Sequence, residues 1–103
     1  MRIKKQRTSS RAQIKGEIGP EPEVGETDGK RTRLRFEVVT FAKSGTPRPH
    51  KCVAFGKFAE KLMRLLVPGM AVYVEGELTP EDVIVYELRT AEILVSDLEE
   101  SVA

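Results

Sequence analysis

The sequence predicts an all-β fold: a small closed barrel of five strands, with one helix set between the third and fourth. Three observations carry that prediction. Several stretches alternate apolar and polar residues with period two, which is the mark of half-buried strands. One stretch, Lys57 to Leu66, repeats its apolar residues every three or four positions, as a helix does. Segments rich in proline and glycine separate these stretches. The 103 residues fit one domain with room for one modest core.

The elements follow in order. Residues 1–10 are polar and basic and are expected to form a flexible arm, ahead of a folded domain over 11–96 and a short acidic tail over 97–103. From Arg11 the chain alternates, with Ala12, Ile14, Gly16 and Ile18 on one face and Arg11, Gln13, Lys15 and Glu17 on the other. "GPEPEVGETDGK" then reads as a loop from Gly19 to Lys30. In the second strand Leu34, Phe36, Val38 and Thr40 point inward. Arg33, Arg35, Glu37, Val39 and Phe41 point outward, on a face basic at one end and aromatic at the other. Pro47 and Pro49 lack the amide hydrogen of a central strand, so the third strand is expected from about His50 to Phe55.

"CVAFGKFAEKL" changes period at Gly56. That glycine permits a sharp exit from the sheet, and Phe58, Leu62 and Leu65 then cap the core from a helix that ends before "VPGM". The fourth strand, "AVYVEGEL", places Val72, Val74, Gly76 and Leu78 inward and Tyr73, Glu75 and Glu77 outward. "TPED" makes a tight turn with Pro80 at its second position. "VIVYELRTAEILV" returns as a fifth strand long enough to need a bulge or bend. Three strands, a helix and a two-strand hairpin is the layout of the OB-fold, a five-stranded Greek-key barrel. The same element count also suits an α+β sandwich.

Composition narrows the function classes. No apolar run approaches the ~20 residues that span a bilayer. The start, "MRIKKQRTSSRAQ", lacks the apolar stretch of a secretory signal. The one cysteine, Cys52, reads as a core thiol in a reducing cytoplasm. No carboxylate pair, nucleophile–base set, phosphate-cradling glycine loop or metal spacing is present, so neither catalysis nor a cofactor is expected. His50 has no second histidine or cysteine pair beside it, and a metal role is not assigned. Charge is segregated: residues 1–16 hold six Lys or Arg and no acid, whereas residues 75–103 hold nine acids and only Arg89 as a base. Such a chain presents a basic face or arm and an acidic end.

Two stretches resemble the bacterial single-stranded DNA-binding proteins. "IKGEIGPEPEV", Ile14 to Val24, is similar to that family's first strand and following loop. "CVAFGKFAEKL" with "PGMAVYVEGEL" is similar to its third strand, helix and fourth strand, at the same spacing. "FEVVT" is a weaker echo in the second strand. The resemblance covers about residues 11–95. It implies an OB-fold, no catalysis, homo-oligomers (dimer or tetramer, pairing through the first strand) and binding of single-stranded DNA with little sequence preference. It further implies partners among replication or repair proteins.

Such binding requires cations along the phosphates and flat rings on which bases stack, each stacked base contributing roughly 1–3 kcal/mol. Phe55 matches the aromatic that opens "FGK" in the family, and Tyr73 matches its tyrosine in "VYVEG". Phe41 joins them because it shares a face with Arg33 and Arg35; Phe36 and Phe58 are assigned to the core and Tyr86 is not placed. Lys15, Arg33, Arg35, Lys43, Arg48, Lys51 and Arg89 are the candidate phosphate contacts, on outward strand positions or adjoining loops. The chain departs from the family in three ways. It has no tryptophan, the hairpin between its fourth and fifth strands is the short acidic "TPED" instead of a long basic flap, and "DLEESVA" lacks the linker and Pro-Phe tip. In build it is similar to primosomal replication protein N. The competing expectation is a protein-binding OB-fold adaptor.

Overall fold

Residues 10–97 are described in the computed structural model; the expected basic arm and acidic tail fall, but for Ser10 and Asp97, outside them. Among these residues seven strands and one helix run in the order β1 (Arg11–Ile18), β2 (Glu23–Glu26), β3 (Thr32–Phe41), β4 (Pro47–Phe55), α1 (Gly56–Leu65), β5 (Ala71–Leu78), β6 (Val83–Arg89) and β7 (Leu94–Ser96). Five of the strands close a ring. β1 pairs β5, β5 pairs β6, β6 pairs β4, β4 pairs β3, and β3 returns to β1. Among the described residues only the β4–β6 pair is parallel, through Cys52↔Val83 and Val53↔Ile84. This is the five-stranded OB barrel. No helix among the described residues is long and apolar enough to cross a membrane.

The inward faces follow the alternation. Leu34, Phe36 and Val38 of β3, Val72 and Val74 of β5, and Val83, Val85 and Leu88 of β6 are all buried. Gly56 adopts φ +68°, a conformation closed to most side chains, and turns the chain directly from β4 into α1. The helix then lowers Phe58, Ala59 and Leu62 into the barrel end. Burial of a side chain the size of Phe or Leu stabilises by roughly 1.5–3 kcal/mol, so this plug is a main support of the closed end. Cys52 is sealed in the same core, and burial pushes its thiol up to about 12.

Four departures from the expected elements have physical causes. The expected Gly19–Lys30 loop contains β2, which extends β3 from Glu23↔Arg35 to Glu26↔Thr32. Its polar, glycine-bearing "EVGE" carries no alternation, because neither face is buried. β4 begins at Pro47 and not at His50, with Pro47 paired to Phe41 and Pro49 to Val39. Two residues apart, the prolines aim their missing donors at one side of the strand, and β6 pairs β4 only further along. The long fifth strand divides: Thr90 turns the chain, its Oγ accepting from the Glu92 and Ile93 amides, and β7 folds back on β6. The expected irregularity is present as well, opposite Glu75 and Gly76, with Tyr86 as the extra residue. In β5 two faces are corrected. Leu78, expected inward, is 53% exposed where the strand outruns the barrel. Glu75, expected outward, is buried in an ion pair with Arg11. Desolvation and this carboxylate raise the neighbouring Tyr86 phenol above its ordinary value.

The "TPED" turn forms as expected. The Thr79 amide donates to the Asp82 carbonyl (2.8 Å), and the Thr79 hydroxyl donates to the Asp82 carboxylate (2.9 Å).

Candidate nucleic-acid interface

The outer face of the β3–β4 hairpin carries five of the ten expected site residues, set by register. Arg33 lies opposite Phe55, Arg35 opposite Val53, Glu37 opposite Lys51, Val39 opposite Pro49 and Phe41 opposite Pro47. At about 3.4 Å per residue, Arg33 and Phe41 stand roughly 27 Å apart. The face therefore has two ends and a middle, and they differ chemically.

At the hairpin tip Phe41 is 55% exposed. It walls a cleft of about 570 Å³ whose other sides are Lys15 of β1, Tyr73 of β5 and Arg89 of β6. The barrel brings these together because Lys15 pairs with Tyr73 and Tyr73 with Arg89. The Arg89 guanidinium carbon lies 5.7 Å from the Tyr73 ring centroid, and its Nη2 reaches the Glu87 carboxylate at 3.3 Å. Four residues that are far apart in sequence thus meet in one site with two rings and two cations. Lys43 sits beyond it in the exposed turn that joins β3 to β4.

At the barrel end Phe55 is half-buried, with the Arg31 guanidinium carbon 5.7 Å from its centroid. Gly56 makes room for that arginine, since a Cβ there would stand 2.9 Å from Arg31 Nη2. Arg33 lies flat over Gly25 in the same way, and its Nε is buried with no hydrogen-bond partner among the described residues. Arg31 was not among the expected site residues. Its signal was legible, for Arg31, Arg33 and Arg35 alternate along "RTRLR" and share one outward face.

The middle is different. A cleft of about 640 Å³ lies where the loop after β1 faces the β5–β6 turn across β3 and β4. Ligands of OB-folds commonly occupy this position. Arg35 and Lys51 line it, but so do Glu21, Glu23, Glu37, Glu81 and Asp82. Two expected phosphate contacts thus stand among five carboxylates, and the cationic track is interrupted. Arg48 also departs from its expected outward position: paired with Thr40, it lies on the opposite face of the hairpin from Phe41 and Lys51. His50 shares that opposite face and bonds Thr40 Oγ at 2.9 Å. Among the described residues no three His, Cys, Asp or Glu side chains gather to hold a metal ion.

The model of the single-strand binding protein family matches residues 9–95. The chain belongs to this family. Its members bind single-stranded DNA without catalysis, so this is a binding protein and not an enzyme. Two similar solved structures agree on the fold. The SSB domain of a Synechococcus sp. protein is 17% identical, with a TM-score of 0.72 over 82% of this chain and 99% of that one. The mitochondrial single-stranded DNA binding protein Rim1 of S. cerevisiae is 16% identical, with a TM-score of 0.73 over 82% of this chain and 95% of its own. No curated protein sequence matches.

Proposed function

We propose that the chain coats single-stranded DNA with little sequence preference, acting in replication, recombination or repair in the cytoplasm. Bases stack on Phe55 at one end of the hairpin face and on Phe41 and Tyr73 at the other. Arg31 and Arg33 hold phosphates near Phe55; Lys15, Lys43 and Arg89 hold them near the tip. One observation carries this reading: all three rings lie outside the barrel core, each with cations beside it. Any base can use such a platform, because every base has a π face. With no tryptophan, two platforms usual in the family are gone, which removes roughly 2–6 kcal/mol of stacking. Binding two to four decades weaker than in a member that keeps both platforms follows, at about 1.4 kcal/mol per decade.

Self-association belongs to the same reading. β1 meets β5 from Arg11 to Glu17 along one edge but meets β3 only at Glu17 and Ile18 along the other, which leaves a strand edge open to a second copy.

The test is a titration of labelled oligo-dT and of a matching duplex at low and moderate salt. Preference for the single strand, lost in Phe55→Ala, is the expected result, with a log–log salt slope of about −0.7 for each phosphate neutralised. Equal affinity for duplex, unchanged by Phe55→Ala, would leave only generic cationic attraction. The adaptor reading also has an observation in its favour: the acid-rich central cleft repels phosphate and suits a basic protein segment. No oligonucleotide binding at low salt, together with capture of a replication or repair protein, is the outcome that selects it.

A further inference from the structure

The tip cleft holds a charge of the wrong sign for a site that only binds phosphate. Among the described residues that line it Glu17 is the one acid, set with Lys15, Arg89, Phe41 and Tyr73. Three other polar side chains there have partners. Arg89 reaches Glu87, the Thr40 hydroxyl bonds His50, and the Thr90 hydroxyl accepts from the Glu92 and Ile93 amides. The Glu17 side chain is exposed and holds no hydrogen bond or ion pair among the described residues, not even with Lys15 two positions away.

Register fixes where that carboxylate stands. Lys15 lies opposite Tyr73, and Tyr73 opposite Arg89, in one row across the strands. Glu17 lies opposite Ala71 on β5 and Val39 on β3, and alternation keeps it on the same face as Lys15. It is one pleat beyond the row, roughly 7 Å further along β1. Its cross-strand neighbours are small and leave it open. Half the width of a purine and one hydrogen bond of about 2.9 Å span that gap, so a base stacked in the row brings its edge to Glu17.

The chemistry of a carboxylate then selects among bases. When ionised it accepts hydrogen bonds and donates none, and its two oxygens can take two parallel donors. In a single strand the Watson–Crick edge is free to be read. Guanine alone offers two donors side by side on that edge, N1–H and the N2 amino group. Adenine and cytosine place a ring acceptor beside their amino group, and thymine flanks its N3–H with two carbonyl oxygens. Each of these three turns a lone pair towards the carboxylate.

We propose that the tip cleft is a guanine subsite, in which Glu17 accepts from N1–H and the N2 amino group of a stacked base. Lys15 and Arg89 take the adjoining phosphates. This rests on the DNA-binding reading and deepens it: most of the face reads no sequence, and one position prefers one base. The site is open to water, which sets the preference near the low end for a bidentate pair, about fivefold.

The test uses the full chain and a short labelled oligo-dT whose central residue is dT, dG, deoxyinosine or dA. Fluorescence anisotropy should show the dG strand bound about fivefold more tightly than all-dT. Deoxyinosine keeps N1–H but lacks the N2 amino group, so it should lose most of that gain with the protein untouched. The dA strand should bind as all-dT does, which separates hydrogen bonding from the larger stack of a purine. Glu17→Ala should bring dG and all-dT within twofold of each other, with all-dT affinity unchanged or higher. Equal binding of all four strands, a gain that dA shares, or a dG preference that survives in deoxyinosine or in Glu17→Ala would overturn the proposal and leave the DNA-binding reading standing. No binding of any strand by the unaltered chain would sink both.

Discussion

Two of the clefts on the outer surface of this barrel are opposites. The tip cleft joins Phe41 and Tyr73 to Lys15 and Arg89, so that rings and cations alternate. The central cleft lies on the usual OB ligand face, yet carboxylates dominate it and no exposed ring stands in it. Polarity on one small barrel has been divided by position. The lesson is that the fold's customary ligand position does not by itself locate the chemistry. In this chain Phe41 and Phe55 stand at the two ends of the β3–β4 hairpin, and carboxylates dominate the cleft at its middle.

The comparison can be broken most sharply at the tip. Phe41→Ala combined with Tyr73→Ala should cost roughly 2–6 kcal/mol of oligo-dT binding, about 30-fold or more by fluorescence anisotropy, and Phe55→Ala alone roughly half of that. An unchanged dissociation constant in the double variant would remove the tip cleft from the interface. Loss of the rings should leave the salt slope almost as it was, because they hold no phosphate.

The central cleft should respond in the opposite sense. Replacing Glu21, Glu23 and Glu81 by Gln should tighten oligonucleotide binding several-fold at low salt and leave it nearly unchanged at 0.5 M, where exposed charges are screened. Weaker binding in that variant would mean that these carboxylates support the interface.

Cys52 tests how closed the floor of the central cleft is. It is among the residues lining the cleft, but it is only 2% exposed and its thiol is pushed up to about 12 by burial. The folded chain should leave Ellman's reagent unreacted at pH 8 and react stoichiometrically once unfolded. The raised value also sets a sign. The neutral thiol is favoured in the fold, so its contribution is complete below the unfolded thiol's pKa near 9 and is lost as pH rises towards 12. Stability should fall by roughly 1.4 kcal/mol per pH unit in that window, and a Cys52→Ala variant should lack this component. The smallest effect is expected at Arg48, on the far side of the hairpin: Arg48→Ala should change oligonucleotide affinity less than twofold.

Much of the fold was legible because it rests on local periodicity. The faces of β3 and the helix plug could be read from Leu34–Phe36–Val38 and Phe58–Leu62, and the exit at Gly56 from the change of period. What escaped has a common physical origin. β2 has no buried face to write a pattern, and the entry of β4 at Pro47 depends on which neighbour lies alongside, a property of the closed ring. Glu75 looks outward by parity but is covered because Arg11 pairs with it. The site divides in the same way. The residue types at Phe41, Phe55 and Tyr73 could be chosen from the chain, whereas the meeting of Lys15, Phe41 and Arg89 depends on register between strands. The two acidic loops could each be read for charge, but not for their position opposite one another.

One contact ties the ring to the tip cleft. At Gly16 any side chain would collide with the Val39 carbonyl oxygen, where β1 crosses β3, and the two strands share only Glu17↔Val39 and Ile18↔Val38. That narrow seam adjoins both Lys15 and Phe41. It is the natural place for the ring to breathe, and each opening parts the lysine from the phenylalanine. Faster amide exchange near Gly16 should therefore go with a shorter residence time of a nucleotide at the tip.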